Sequence, residues 1–205
     1  MEGETTGKFD IVVYGATGFT GALVAEYLFQ SHGDINWAIA GRSQTKLDAI
    51  KHQLGAPELA TLVADSDSVE DMTRLAAQSR VIISTVGPYA RYGTNLLEAC
   101  AAEGTHYCDL TGEPQWMAAV FERVSSAAEE SGARLIHCCG FDSIPSDLGV
   151  YVAQKTMMEK HGLFASSVSG RMGQSKGAVS GGTVASMLLA MEQGISDPVA
   201  RKALN

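Results

Sequence analysis

The chain has 205 residues, of which 45% are hydrophobic and 19% are charged. This apolar fraction is ordinary for a globular protein with a buried core, so a wholly disordered chain is excluded. Fifteen Lys and Arg residues against 23 Asp and Glu residues leave a net charge of −8. Because phosphodiester backbones demand clustered positive charge, we expect no nucleic-acid partner.

The first residues, MEGETTGKFD, are acidic where a signal peptide would be basic, and no apolar core follows them. No stretch of the chain approaches 18 consecutive apolar residues, so we predict no integral membrane segment. A cytoplasmic protein is the expectation from this pattern. The four cysteines form no C-x-x-C pair and have no nearby His at zinc spacing. We therefore predict no metal site, and we expect Cys138 and Cys139, which end an apolar run, to pack in the core.

Apolar runs of strand length alternate with helical patterns over residues 9–139. Helices follow the first five strands, and one of them begins at Ser68 with a capping signature, since Asp71 lies three residues later. The strands are predicted over residues 9–14, 37–40, 59–64, 81–86, 106–110 and 134–139. The other helices are predicted over residues 19–30, 44–54, 94–103 and 114–131.

This alternation predicts an α/β fold with a doubly wound parallel sheet, helices on both faces and the strand order 3-2-1-4-5-6. Residues 1–150 would form this dinucleotide-binding Rossmann domain. The pattern then changes, with a helix over 146–160, a strand over 164–172 and a helix over 183–192. Because residues 151–205 are too few to bury a core, they are predicted to be a linking helix and the incomplete start of a second domain.

Glycines follow the first predicted strand with the spacing G-x-x-G-x-x-G, at Gly15, Gly18 and Gly21. One glycine permits a tight turn, one lets backbone N–H groups approach a pyrophosphate, and one lets the helix pack against the strand. The spacing departs from the plain G-x-G-x-x-G fingerprint, but the strand–turn–helix context favours dinucleotide binding over a purely structural turn. Thr17, Phe19 and Thr20 complete the predicted binding turn.

The end of the second strand predicts which dinucleotide is bound. An acidic residue there would hold the ribose 2′-hydroxyl of NAD, whereas this chain has Arg42 and Ser43, with Lys46 one turn on. A guanidinium and a hydroxyl suit a 2′-phosphate, which favours NADP; the alternative is a solvated arginine in a loop. Asp65 is predicted to meet the adenine. The nicotinamide half would lie beside Thr85, Val86, Gly87 and Pro88.

Polar residues that follow strands four to six are candidates for the substrate side: Tyr89, Glu113, Asp142 and Ser143. Each could orient a substrate or pass a proton, because ligands bind outside the carboxyl edge of such a sheet. The alternative is that they are turn or cap residues. Tyr151 and Lys155 spell the Y-x-x-x-K pair of short-chain dehydrogenases, but they follow the sixth strand rather than the fifth, which favours ordinary surface neighbours. No catalytic residue is assigned.

Five motifs in order resemble the saccharopine dehydrogenase-like oxidoreductases, a family that includes the trans-acting enoyl reductases of mycobacterial lipid synthesis. They are GATGFTG (15–21), AGRS (40–43), GPYARYG (87–93), DLTGEPQW (109–116) and GFDSIPSDLGV (140–150). The resemblance implies an NADP-type Rossmann domain followed by a substrate and dimerisation domain, whose start would be GGTVASM (181–187). Because that family's members are typically about twice as long, most of their second domain has no counterpart in these 205 residues.

Two functions follow as hypotheses. The first is an NADP(H)-dependent oxidoreductase that reduces a C=C or C=N bond of a metabolite or a lipid-linked substrate. The second is a non-catalytic NADP-binding redox sensor or interaction module, which the short second domain and the lack of an acid–base pair leave open. A homodimer is expected, because an incomplete second domain would expose apolar surface.

Overall fold

The computed structural model describes residues 8–32, 34–174 and 181–196. Six strands and eight helices lie within these residues. The strands are β1 (Phe9–Tyr14), β2 (Trp37–Gly41), β3 (Ala60–Val63), β4 (Ser79–Ser84), β5 (His106–Asp109) and β6 (Leu135–Ile136). The helices are α1 (Phe19–Ser31), α2 (Gln44–Leu54), α3 (Val69–Ala77), α4 (Tyr89–Tyr92), α5 (Thr94–Glu103), α6 (Pro114–Ser131), α7 (Ile144–His161) and α8 (Gly181–Ser196).

The strands form one parallel sheet of order β3-β2-β1-β4-β5-β6. This confirms the predicted doubly wound order. The order reverses between β1, which pairs with β2, and β4, which pairs with β5. Ligands of such sheets bind in the crevice at the carboxyl ends of the strands at this reversal. The topology thus places the ends of β1 and β4 at the expected site.

Helices cover both faces of the sheet, and the side chains of the central strand alternate between two cores. Val12 and Tyr14 of β1 pack with apolar residues of α3, α5 and α6, whereas Val13 packs with residues of α1 and α2. All three side chains are fully or almost fully buried. A central strand buried on both faces reads as a continuous apolar run, which is why FDIVVY was recognisable as a strand.

Buried hydrogen bonds tie the outer strands together at the carboxyl end of β5. Asp109, which is 2% exposed, accepts a hydrogen bond from the Tyr107 hydroxyl at 2.9 Å through Oδ2. The same oxygen lies 2.7 Å from Nδ1 of His137, beyond the end of β6. Its Oδ1 accepts from the backbone N–H groups of Thr111 and Cys138. The first residue of the DLTGEPQW motif therefore organises the loops that follow β5 and β6.

Five of the six predicted strands differ in their bounds from the observed strands, and the two largest differences, at β4 and β6, have a physical cause. β4 begins at Ser79, which pairs with Phe9, and ends before Thr85. The prediction placed the start of β4 too late because Ser79 is polar and does not extend the apolar run. Ser79 is nevertheless buried, since its hydroxyl donates a hydrogen bond to the Leu75 carbonyl at 2.7 Å. β6 has two residues instead of the predicted 134–139, because Cys138 adopts a φ of +61°, which no strand accommodates.

The predicted core positions of the two adjacent cysteines are wrong. Cys139 is exposed and Cys138 is only partly buried, since the chain leaves the sheet edge before reaching them. The strand predicted over residues 164–172 is also absent, and this segment is irregular and mostly exposed. A strand requires a neighbour to satisfy its backbone groups, and no strand of the described residues lies beside it. An alternating apolar sequence does not form a strand without a neighbouring strand to pair with.

Helix α7 has no buried residue over its 18 positions. Large apolar side chains are exposed on and just before it, including Phe141 at 78% and Tyr151 at 61%. The helix ends at Gly162, whose φ of +67° provides a left-handed cap. Within the part of the chain that the structure describes, no helix is both long enough and apolar enough to cross a membrane.

The different burial of the cysteines predicts their reactivity. Burial raises the pKa of the Cys100 and Cys139 thiols, but only Cys139 is exposed. We expect a thiol reagent to modify Cys139 first in the folded protein, and Cys100 only after unfolding in denaturant. Peptide mass spectrometry after timed labelling would identify the modified residues. Labelling of Cys100 as fast as Cys139 under native conditions would contradict the described burial.

Candidate cofactor and substrate site

The glycine turn between β1 and α1 is closed by contacts that leave no room for a side chain at Gly15 or Gly21. Gly15 has a φ of +90°, and the Gly18 N–H donates to the Gly15 carbonyl at 2.9 Å. A Cβ at Gly21 would lie 2.2 Å from this same carbonyl oxygen. A Cβ at Gly18 would meet only the Gly15 oxygen, at 3.4 Å. Gly15 and Gly21 therefore shape the turn, whereas Gly18 leaves its outer side open.

Helix α1 begins at this turn without a side-chain cap on its N-terminus. The first N–H groups of a helix have no partner within it, and the helix dipole makes this end attractive for anions. A cavity of about 420 Å³ lies against it, at the carboxyl ends of β1, β2 and β4. Nine residues predicted to bind the cofactor line this cavity: Gly15, Thr17, Gly18, Phe19, Thr20, Arg42, Thr85, Val86 and Gly87.

Arg42 is the only charged residue that lines this cavity among the described residues. It is exposed directly after β2, and no carboxylate from the part of the chain that the structure describes lines the cavity with it. Ser43 accepts a hydrogen bond from the Lys46 N–H at 3.4 Å and so caps helix α2. Neither Ser43 nor Lys46 lines the cavity. Arg42 therefore lines the cavity, whereas the adjacent Ser43 caps helix α2.

The remaining predicted cofactor residues lie outside the cavity lining. Gly21 is buried beneath the turn, and Pro88 is the N-cap residue of α4. Asp65 is exposed in the loop after β3, where its Oδ1 accepts from the Asp67 N–H. Four lining residues were not predicted, namely Tyr14, Gly41, Gly181 and Gly182. The first two directly precede predicted residues, whereas the last two come from α8, which sequence spacing could not place beside the turn.

A second cavity, of about 250 Å³, lies next to the first on the side of β5. Thr20, Thr85, Gly87 and Gly182 line both cavities. Three of the four substrate-side candidates, Tyr89, Glu113 and Asp142, line the second cavity, whereas Ser143 does not. Ser143 instead occupies the N-cap position of α7, without a side-chain cap bond. The remaining lining residues are Leu110, Gly112, Thr183, Ser186, Met187 and Ala190.

Tyr89 is 3% exposed, and its hydroxyl is engaged within the protein. The hydroxyl donates to the Ser84 carbonyl at 3.0 Å and accepts from the Leu110 N–H at 3.4 Å. Burial raises the pKa of this phenol further above its already high value. The ring stacks on Trp116 with centroids 5.5 Å apart. These contacts give Tyr89 a structural role, and they do not leave its hydroxyl free to pass a proton.

Glu113 is 2% exposed and both of its carboxylate oxygens accept hydrogen bonds. Oε1 accepts from the Tyr89 N–H at 2.9 Å, and Oε2 accepts from the Ala90 N–H at 2.8 Å. The Ser186 hydroxyl of α8 also donates to Oε1, at 2.8 Å. Glu113 therefore caps the short helix α4 rather than its own helix α6, which begins at the next residue.

Asp142 is exposed at the second cavity, and its carboxylate makes no hydrogen bond to the described residues. Among the titratable side chains of this lining, it is the one for which the described residues provide no hydrogen bond. Tyr151 and Lys155 line neither cavity, and Lys155 lies 3.9 Å from Glu159 on the exposed α7. No group of three His, Cys, Asp or Glu residues suited to a metal ion occurs within the described ranges.

A parallel sheet of order 3-2-1-4-5-6, with a glycine turn opening onto a cavity at its reversal point, defines a dinucleotide-binding Rossmann domain. Residues 11–136 match the sequence model described as the saccharopine dehydrogenase NADP binding domain. The chain belongs to this family, which confirms the resemblance carried by its five motifs. NADP is accordingly the cofactor of the domain.

Similar proteins occur in mycobacteria. A Mycobacterium tuberculosis protein provisionally named a trans-acting enoyl reductase is 44% identical over 203 residues, which are 98% of this chain and 48% of the relative. A trans-acting enoyl reductase of Mycobacterium bovis is 41% identical over 198 residues, covering 95% of this chain and 47% of the relative. The chain spans about half the length of the curated relatives it matches.

Solved structures share the fold at low sequence identity. Apo saccharopine dehydrogenase (L-Glu forming) from Saccharomyces cerevisiae superposes with a TM-score of 0.58 and 19% identity, over 75% of this chain and 31% of that one. Triphenylmethane reductase of Citrobacter in complex with NADP(H) gives a TM-score of 0.50 and 17% identity, over 72% and 55%. Both support the Rossmann architecture.

The residues at the first cavity fit NADP. The outer side of Gly18 is open where backbone must approach a pyrophosphate, and the uncapped start of α1 offers N–H groups to it. Arg42 would supply the positive charge that a 2′-phosphate requires, and no carboxylate of the described residues lines the cavity beside it to repel that group. When bound, the reduced cofactor supplies a hydride.

Proposed function

We propose that this chain is the cofactor-binding part of an NADPH-dependent reductase that acts on the C=C bond of an uncharged acyl group, such as an enoyl thioester. The first cavity would hold the dinucleotide, and the second would hold the reacting part of the substrate. The names of the mycobacterial relatives support an enoyl substrate. The family match supports NADP-dependent oxidoreduction in general.

The charged residues that line the second cavity are the observation that favours an uncharged substrate over an anionic one. Its lining contains two carboxylates, Glu113 and Asp142, and no Lys, Arg or His among the described residues. Enzymes hold carboxylate-bearing substrates with cationic side chains, because the bond is then charge-assisted. An amino-acid imine with free carboxylates would meet repulsion here. An apolar acyl chain would instead contact Leu110, Met187 and Ala190.

The protein's own residues would bind and orient both ligands. Thr85 fixes the wall between the two cavities, since its hydroxyl lies 3.1 and 3.2 Å from the carbonyl oxygens of Tyr14 and Gly15. Asp142 would lie beside the proposed substrate, with no hydrogen bond to its carboxylate from the described residues. Tyr89 and Glu113 would keep the wall rigid through their buried hydrogen bonds.

Loss of NADPH absorbance in the presence of an enoyl thioester tests this function. The longest natural protein that carries this chain would be compared on an enoyl thioester and on an amino-acid imine. We expect turnover of the thioester only. Preference for the imine would overturn the choice of substrate. Tight NADPH binding with no turnover of either compound would favour the non-catalytic redox sensor.

We also propose that residues 1–150 form the cofactor domain and that residues 151–205 are a linking helix and the incomplete start of a substrate and dimerisation domain. The family match within residues 11–136 supports the first part. The lack of any buried residue in α7 supports the second, because this helix does not contribute to the Rossmann core.

Two copies of the chain would associate through the exposed apolar residues of α7. Leu148 and Val152 lie one turn apart and are 52% and 58% exposed. Isolated soluble proteins rarely leave such patches uncovered, and closed two-fold contacts dominate homo-oligomers. We expect light scattering to give twice the chain mass of 21.6 kDa. Replacing both residues by Asp should give a monomer, whereas Lys155→Asp, on the same helix, should not; a monomeric parent chain would contradict the proposal.

A further inference from the structure

The carboxylate of Glu113 joins three separate parts of the fold at one buried point. It extends from the loop after β5, accepts from two backbone N–H groups at the start of α4, and accepts from the Ser186 hydroxyl on α8. No Lys, Arg or His of the described residues forms an ion pair with it. A buried carboxylate needs its full set of donors, so the bond from Ser186 has a clear energetic reason.

This bond lies at the boundary between the two cavities. A Cβ at Gly87, which lines both of them, would be 3.7 Å from the Ser186 hydroxyl oxygen. The start of α8 contributes Gly181 and Gly182 to the first cavity, and Gly182 and Ser186 to the second. The position of α8 therefore affects the shape of both.

Helix α8 buries little of its apolar surface against the rest of the described chain. Most of its large apolar side chains are exposed, including Leu188 at 62% and Met191 at 65%. A hydrogen bond to an ionised acceptor is among the stronger polar contacts, particularly away from water. The Ser186–Glu113 bond thus joins a helix whose large apolar side chains are mostly exposed to a rigid part of the Rossmann domain.

We propose that Glu113 is a positioning residue that, through Ser186, holds the start of α8 at the cofactor cavity. Binding of NADPH to the first cavity then orders α8 as well as the glycine turn. This inference rests on the proposed location of the cofactor but not on the proposed substrate. It assigns the glutamate of the DLTGEPQW motif a role in connecting the two cavities rather than in passing a proton.

Hydrogen exchange of this chain, with and without NADPH, tests the proposal. In the parent chain we expect NADPH to slow exchange of the amides of residues 181–192 as well as those of residues 15–22. Ser186→Ala should speed exchange of α8 about tenfold without NADPH, the effect of losing one hydrogen bond to a charged group, and should abolish the NADPH effect there. Ser186→Thr keeps the hydroxyl and should restore both.

Two further variants control the interpretation. Ser126→Ala removes a hydroxyl that donates to Glu130 on the exposed side of α6, and it should change nothing at α8. Glu113→Gln keeps the size of the side chain but replaces one acceptor oxygen by a donor, and should loosen α4 and α8 together. Unchanged exchange of α8 in Ser186→Ala, or failure of Ser186→Thr to restore it, would overturn the proposal. Lack of enoyl turnover would count against the proposed reductase function, whereas the exchange measurements depend only on NADPH binding in the first cavity.

Discussion

Replacing Gly21 by alanine is expected to abolish NADPH binding and to destabilise the fold by about 1–3 kcal/mol, the usual effect of overpacking a tight site. The new Cβ would lie 2.2 Å from the Gly15 carbonyl oxygen and 2.8 Å from the Ala16 Cα. Both are backbone atoms, so the turn itself would have to open. Calorimetric titration with NADPH and thermal unfolding would measure the two effects.

Two other glycines provide matched controls for this substitution. Gly149 lies on exposed α7 with nothing within 4 Å of an added Cβ, so Gly149→Ala should leave binding unchanged and increase helix propensity. Gly18→Val should lose NADPH binding in a protein that still folds, since the side chain would project where the pyrophosphate must approach. Normal NADPH affinity in Gly21→Ala would show that the turn can relax, contrary to its described packing.

Arg42→Ala is expected to remove most of the preference for NADPH over NADH. The guanidinium is the only charged group lining the first cavity among the described residues, at the strand end where a 2′-phosphate would lie. Loss of one charge-assisted contact corresponds to about 1–3 kcal/mol, or roughly 5- to 150-fold in the affinity ratio. Calorimetric titration of the parent and the variant with both dinucleotides would give this ratio.

A variant of the neighbouring Lys46 is the control that distinguishes a direct contact of Arg42 with the 2′-phosphate from a general effect of positive charge. Lys46 is exposed one turn further on but does not line the cavity, so Lys46→Ala removes the same charge at a short distance. It should reduce the preference by no more than a fraction of the Arg42 effect. Equal affinity of the parent chain for the two dinucleotides would refute the assignment of Arg42.

The sheet was predictable because its strands carry strong local signals. The central strand β1 packs against both cores and therefore carries a continuous apolar run, Ile11–Tyr14, and the glycine turn after it marks the connection to a helix. The prediction for β6 was too long because an apolar sequence does not by itself determine where an edge strand ends. RLIHCC is apolar, but an edge position and the φ of Cys138 end the strand after two residues.

Most residues that line the first cavity were also predictable as neighbours, because they follow the ends of β1, β2 and β4 directly. Three substrate-side candidates line the second cavity, but the contacts that α8 makes there were not predictable, since they join residues distant in sequence. Ser186 is 73 positions from Glu113, and no spacing rule connects a helix in a glycine- and serine-rich tail with the loop after β5. Glu113 itself was predicted to be a candidate, but its two bonds to α4 depend on tertiary packing.

The lining shared by the two cavities has a thermodynamic consequence. Thr20, Thr85, Gly87 and Gly182 contact whatever occupies either space, so any adjustment that one ligand imposes on them is experienced by the other. Linkage requires the effect to be reciprocal: the factor by which the dinucleotide changes the affinity for the second ligand equals the factor in the opposite direction. If the two cavities hold the two ligands as proposed, affinities measured for one ligand alone would differ from those in the ternary complex by this factor.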